Sequence, residues 1–233
     1  MLYIDTDVLF VSPVESVWGH FSRMNGSQIA GMSYESEDFS TSWYYRFAKH
    51  PYYGYYGLNS GVMLMNLTRM RAFHWVDRLE PVLQQYRSQI VWGDQDIINV
   101  IFHEHPAMLY LFGCNWNYRP DHCVYASVCK AAAVEDKAGK GNAEGIRLVH
   151  GNRGVFLHDD KQPEFRALYL AFSRLPLLED VHRTRSYLAE SIRTALAELP
   201  NPSRCAKVSH LFWRQIAQTI PSGGSTQSKE ERG

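Results

Sequence analysis

Apolar residues in this chain fall either in short unbroken runs or at helical spacing, separated by polar loops, and that pattern predicts an α/β fold. Residues 2–4 read as a strand that passes into Asp5-Thr6-Asp7 and turns apolar again at Val8. Ser12-Pro13-Val14-Glu15 has the form of a capping box with proline at the first helical position. Val14, Val17, Trp18 and Phe21 follow on one helical face. Residues 28–33 read as a short strand, and 34–56 as a long polar and aromatic loop without period. Val62 to Met65 are continuously apolar, as in a strand covered on both faces, and Gly61 sits where a backbone needs to be approached closely. Thr68 is expected to cap a helix with Phe73, Val76, Leu79, Leu83 and Tyr86 as its core stripe; Met70 and Trp75 read as packing. Gly93 and Asp94 start another helix, with Ile97, Ile98 and Ile101 turned inward. Strands are expected at 109–112 and 146–149, and helices at 164–172, 180–199 and 203–220. Residues 134–144 read as an exposed polar insertion and 222–233 as a disordered tail. The expected organisation is a catalytic domain over 1–172, a helical extension over 173–220 and a tail over 221–233.

Composition narrows the classes. Lys and Arg number 24 and Asp and Glu 24, so no global field draws the chain to nucleic acid or an anionic membrane. Aromatic residues make up 13%, the side chains that stack on sugars and line polar clefts. No run is long and apolar enough to span a bilayer, and no signal peptide opens the chain. The first strand begins so near the start that no earlier strand is available to pair with it. It is therefore expected to be an exposed, aggregation-prone edge of an N-terminally shortened chain. The four cysteines, Cys114, Cys123, Cys129 and Cys205, lack paired C-x-x-C zinc spacing. Disulfides in an oxidising compartment fit better, with Cys123–Cys129 as the first expected pair. Sequons at Asn25 and Asn66 point the same way, although Asn66 follows a very apolar strand.

Candidate chemistry sits where strands end. In an extended segment Asp5 and Asp7 point to the same side and can converge on one Mg²⁺ or Mn²⁺; a solvated turn is the plainer alternative. Asn59-Ser60-Gly61 precedes an apolar run and reads by itself as a turn. Asp94 and Asp96 suit the positive end of a helix dipole, whereas Gln95, a donor and acceptor at once, has no such explanation. The loop 114–123 is dense in side chains that hydrogen-bond sugars. His150-Gly151-Asn152-Arg153-Gly154 ends a strand with an imidazole and glycines that would admit a diphosphate.

Asp5-Thr6-Asp7, Asn59-Ser60-Gly61, Gly93-Asp94-Gln95-Asp96 and His150-Gly151, in that order, resemble glycosyltransferase family 8. Those enzymes are retaining, metal-dependent nucleotide-sugar transferases of the GT-A fold, with a mixed central sheet. The wording at 50–54, 59–71, 115–123 and 150–166 is similar to the glucoside xylosyltransferases, which pass xylose from UDP-xylose in α-1,3 linkage to O-glucose on EGF-like repeats such as those of Notch. The resemblance spans residues 2–170. It implies that Asp5, Asp7 and His150 hold Mn²⁺ or Mg²⁺, with Asp5 also near the ribose. Asn59, Ser60 and Gly61 would border donor sugar and acceptor, and Asp96 and Gly151 would belong to the donor site. Asp94 would hydrogen-bond the donor sugar, and Gln95 would lie beside the anomeric carbon in a front-face reaction. A type II protein of the Golgi or ER lumen is implied, its anchor and early nucleotide-binding strands preceding the stretch present here. Two departures stand out. Gly154 occupies the place of a phosphate-touching lysine, leaving Arg153 or Lys161 to supply that charge, and Leu157 reads as an extra residue.

Overall fold

In a computed structural model, residues 1–124, 129, 145–158, 160–176 and 180–218 are described; the insertion 134–144 and the tail 222–233 lie outside them. Four strands form a mixed sheet in the order β1 (Leu2–Ile4), β4 (Leu58–Met65), β3 (Ala30–Tyr34), β5 (Leu109–Leu111). β4 runs antiparallel to both neighbours, and β3 pairs parallel with β5. β2 (Val8–Phe10) and β6 (Leu148–His150) form a separate antiparallel pair. β4 is buried from Leu58 through Leu64, as its unbroken apolar run requires. β1 lies at the sheet edge, paired with β4 on one side, with Tyr3 and Ile4 41% and 39% exposed.

The eight α-helices among the described residues are α1 (Trp43–Phe47), α2 (Leu67–Ala72), α3 (Trp75–Tyr86), α4 (Asp94–Glu104), α5 (Asp121–Val124), α6 (Pro163–Ser173), α7 (Val181–Ala197) and α8 (His210–Gln218). Three apolar cores hold the sheets, one of them joining Val17, Val62, Leu64, Phe112, Trp116 and Leu148. β3, β4 and β5 pack on α3 and α4 through Met32, Leu58, Met63, Val82, Ile101 and Phe102. On the other side Val11 and Val149 share a core with Phe165, Leu168, Ile192, Phe212 and Ile216 of α6, α7 and α8. Among the described residues, the helices after residue 173 share a core with β6.

Several local expectations change. Ser12 makes no cap: a 3₁₀ helix runs over Val14–Arg23 with Pro13 at its N-cap and no side-chain cap bond. At three residues per turn the inward face is Val17 and His20, while Val14 and Trp18 are exposed. The helix expected from Thr68 is two helices, broken at His74, whose φ of 57° is left-handed. Asn66 rather than Thr68 caps the first, its side chain accepting from the Arg69 N–H. Restarting at Trp75 resets the phase, so Val82 is buried and Val76 is 73% exposed. The long loop contains α1, capped by Ser42, whose hydroxyl accepts from the Tyr45 N–H.

The disulfide expectation is corrected: Cys123 bonds Cys205 and Cys114 bonds Cys129. α5 carries Cys123 against the 3₁₀ turn Arg204–Lys207, so the cysteine nearest in sequence is not the nearest in space. Glu164, fully buried in α6, receives hydrogen bonds from Ser203 N–H and Oγ beside that bridge.

Candidate functional site

Asp5-Thr6-Asp7 is the turn by which the chain leaves one sheet and joins the other. The Asp5 N–H donates to Gly61 O of β4, and the Gly151 N–H, just past β6, donates to Asp7 O. Both anchors aim the two carboxylates at the end of β6, where His150 stands. His150 Nε2 lies 3.3 Å from Asp7 Oδ1 and 3.5 Å from Asp5 Oδ2. One ligand atom from each residue falls within 4.8 Å of the others, the spacing of a single divalent ion's shell. Two hard oxygens and one imidazole suit Mn²⁺ or Mg²⁺, so the donor set fits the ion. The hydrogen bond with His150 holds the Asp7 carboxyl below its ordinary value, against the upward push of partial burial.

The triad opens on a cavity of about 710 Å³ lined by Tyr3, Thr6, Gly151, Gly154, Phe156 and Tyr169 as well as the two acids. Tyr3 Oη donates to Asp5 Oδ1 at 3.2 Å; burial first, then Asp5 and Asp94, raise its pKa. A larger groove of about 870 Å³ between α6 and α7 contains none of these groups. Gly61 lies flat under the imidazole, where a Cβ would come within 2.2 Å of His150 Cε1 and 2.6 Å of Nδ1. The close approach expected at this glycine is therefore made by a side chain of the protein. At Gly151 a Cβ would meet the Phe156 ring at 2.4 Å.

On the other face of β4, Ser60 meets α4. Gln95 Oε1 accepts from the Ser60 N–H at 3.0 Å, and Gln95 Nε2 donates to Tyr44 Oη at 3.2 Å. Tyr44 in turn donates to Asp96 Oδ1 at 2.8 Å. Burial, then the Asp96 charge, pushes the Tyr44 hydroxyl far above its ordinary pKa, so it stays protonated. With its one proton spent on Asp96, the Tyr44 oxygen can only accept, and the Gln95 amide has one orientation: carbonyl toward Ser60. Asp94 is exposed at the start of α4 and accepts from the Gln95 N–H, leaving its second oxygen free of any such constraint.

Other expected site residues sit differently. Asp96 is fully buried and accepts from Val91 N–H, Trp92 N–H and Tyr44, with His50 Nε2 3.4 Å away. It has no surface to offer a donor sugar; it positions Tyr44 and the start of α4. Asn59 is likewise 5% exposed, its amide held within the protein. Arg153 pairs with Asp121 at 2.7 Å, and Lys161 Nζ donates to Arg153 O. Both line a smaller cavity with Asp121 and Gln162, away from the walls of the acidic one. Of the loop expected to face sugars, Asn115, Trp116, Asn117, Tyr118 and Arg119 are all buried. Tyr44 and Tyr3 enter the site without having been expected; Tyr3 alone had a signal, its place two residues before Asp5.

The comparisons bear on this geometry. The family model described as "Glycosyl transferase family 8" matches residues 1–139. The chain is 47% identical over 231 residues to glucoside xylosyltransferase 1 of Danio rerio, covering 94% of this chain and 54% of that protein. It is 41% identical over 242 residues to glucoside xylosyltransferase 1 of Homo sapiens, covering 99% of this chain and 52% of that one. The likeness therefore continues past residue 173, and the chain spans about half the length of these relatives. Among solved structures, the galactosyltransferase LgtC in complex with donor and acceptor sugar analogs superposes with a TM-score of 0.52 at 20% identity, over 78% of this chain and 64% of that one. The fold is that of the GT-A glycosyltransferases, and the chain belongs to glycosyl transferase family 8.

Proposed function

We propose that this chain carries the catalytic centre of a retaining glycosyltransferase that moves xylose from UDP-xylose, in α-1,3 linkage, to O-linked glucose on EGF-like repeats of Notch-type glycoproteins. The observation that carries this reading is the convergence of Asp5, Asp7 and His150 on one ion-sized space, beside a cavity that Asp5 and Asp7 line. The relatives' name supports the xylosyl group and the glucoside acceptor. Two disulfides support an oxidising compartment, the ER or Golgi lumen. Among the described residues no helix is long and apolar enough to cross a membrane.

Asp5, Asp7 and His150 would hold Mn²⁺ or Mg²⁺, which when bound neutralises the charge of a departing diphosphate. Gly151 and Gly154 leave the cavity wall without side chains where the diphosphate would lie. Gln95 presents a fixed amide, oriented by Ser60 and Tyr44 before substrate arrives, the preorganisation an oxocarbenium-like centre needs. Asp94 Oδ2 would accept from a donor-sugar hydroxyl. In the front-face scheme the C1–O bond to UDP breaks as the acceptor oxygen bonds C1 from the same face, and the acceptor proton passes to the leaving phosphate oxygen.

Calorimetric titration with UDP, with and without Mn²⁺, tests the reading. Wild-type protein is expected to bind UDP in a Mn²⁺-dependent way and to hydrolyse UDP-xylose faster than UDP-glucose or UDP-galactose. Asp7→Asn, which removes charge without volume, should lose the metal dependence while keeping the thermal transition. UDP binding that ignores Mn²⁺, or an Asp7→Asn variant with full activity, would overturn the assignment.

A further inference from the structure

Behind His150 runs an unbroken line of buried polar groups that the reaction described above does not use. Arg119, fully buried, donates from Nη1 to Glu35 Oε2 at 3.1 Å and from Nη2 to the carbonyls of Tyr34 and Glu35. The same Glu35 Oε2 accepts from Asn59 Nδ2 at 2.6 Å. Asn59 Oδ1 accepts from Asn117 Nδ2 at 2.7 Å and from the Gly61 N–H at 3.1 Å. Asn117 Oδ1 lies 2.9 Å from His150 Nδ1. Asn59, Asn117 and His150 are 5%, 0% and 3% exposed, so water does not compete for these bonds.

The direction of the line is dictated from two independent places. A carboxylate paired with a guanidinium only accepts, so Asn59 must turn its NH₂ to Glu35 and its oxygen the other way. The Gly61 N–H only donates, so it demands the same oxygen on the same side. Asn117 must then give its NH₂ to Asn59, which leaves its oxygen for His150. An oxygen at that place requires a proton on Nδ1, so when a cation sits between Asp5 and Asp7 it is the Nε2 lone pair that faces it.

We propose that Glu35, Asn59 and Asn117 are positioning residues that fix the His150 tautomer and ring plane so that Nε2 is ready for a divalent cation. This rests on the reading that Asp5, Asp7 and His150 hold that cation. It assigns the buried loop 114–119 and the residue after β3 a task in metal affinity. Outer partners of metal-bound histidines are worth about 10–100-fold in affinity.

Electron paramagnetic resonance of free Mn²⁺ measures the dissociation constant directly, without turnover. Asn117→Ala is expected to weaken Mn²⁺ binding by about 10–100-fold. Glu35→Gln keeps an oxygen for Asn59 and should bind as wild type does, whereas Glu35→Met, which cannot accept, should weaken binding as Asn117→Ala does. The imidazole nitrogen spectrum of wild-type protein with Mg²⁺, assigned by loss of one signal in His150→Ala, needs no folded relay variant; it should have the proton on Nδ1. Mn²⁺ affinity unchanged in folded Asn117→Ala and Glu35→Met would overturn the relay while leaving the metal reading intact; a proton on Nε2 would overturn the relay and His150 as a ligand together. Absence of Mn²⁺ binding by wild-type protein would overturn both.

Discussion

At the scale of single residues, the site depends on groups whose hydrogen bonds leave them one orientation. Tyr44 is the clearest. Its hydroxyl donates to Asp96 and accepts from both Gln95 and Asn99, the latter at 3.0 Å. Tyr44→Phe keeps the ring and strands those three partners. Stability should fall by about 1–3 kcal/mol, the cost of leaving buried polar groups unpaired, read from denaturant melts. Gln95 would then be free to rotate, so kcat should drop while KM for the donor stays near wild type; equal losses in both would remove Tyr44 from the positioning of Gln95. Asp5, Asp7 and Gln95 were legible as candidates because metal and sugar chemistry need those residue types. Tyr44 was not, because a tyrosine in an aromatic loop carries no mark of the carboxylate it will meet 52 positions later.

At the scale of elements, strand-to-strand approach sets the geometry. β4 presents Gly61 to the ring of His150 on β6 on one face and Ser60 to Gln95 on α4 on the other, so one strand serves both halves of the site. Gly61→Ala would force a Cβ into the imidazole, since the atoms it would strike belong to a ring packed against Asn117. The expected cost is about 1–3 kcal/mol of stability, the range for overpacking, with a weaker Mn²⁺ affinity measured on the same protein. Normal metal affinity in that variant would mean the ring yields without consequence. Strand positions were readable from unbroken apolar runs, and α4 from its inward-turned isoleucines. The failures were at places where a local choice reset the phase: the 3₁₀ turn before Met24 and the left-handed His74 between α2 and α3.

At the scale of the whole molecule, the two disulfides tie different distances. Cys114–Cys129 closes a separation of 15 residues and Cys123–Cys205 one of 82. On the chain-entropy account the longer closure constrains the unfolded chain more, about 4–5 kcal/mol against about 3 kcal/mol. Replacing Cys123 and Cys205 together by Ser should therefore lower the melting temperature further than replacing Cys114 and Cys129. The opposite order would mean that the unfolded chain keeps structure near α5. The longer bridge also holds the 3₁₀ turn before α8 against α5, next to the loop that carries Asn117 and Arg119.

The amino-acid order alone was enough for the α/β class, the strand that carries the two acids and the helix that carries Gln95, while the pairing of those acids with His150 came from the family resemblance. Those features are local in pattern or written in residue type, and hydrophobic period and ligand chemistry act wherever the chain goes. Only the folded molecule decided which cysteines meet, that Asp96 and Asn59 face inward, that Arg153 and Lys161 turn to Asp121 and to each other, and that Glu35 and Asn117 stand behind His150. Each of these is a contact between residues far apart in sequence, and its partner is chosen by packing, which no single stretch of the chain contains.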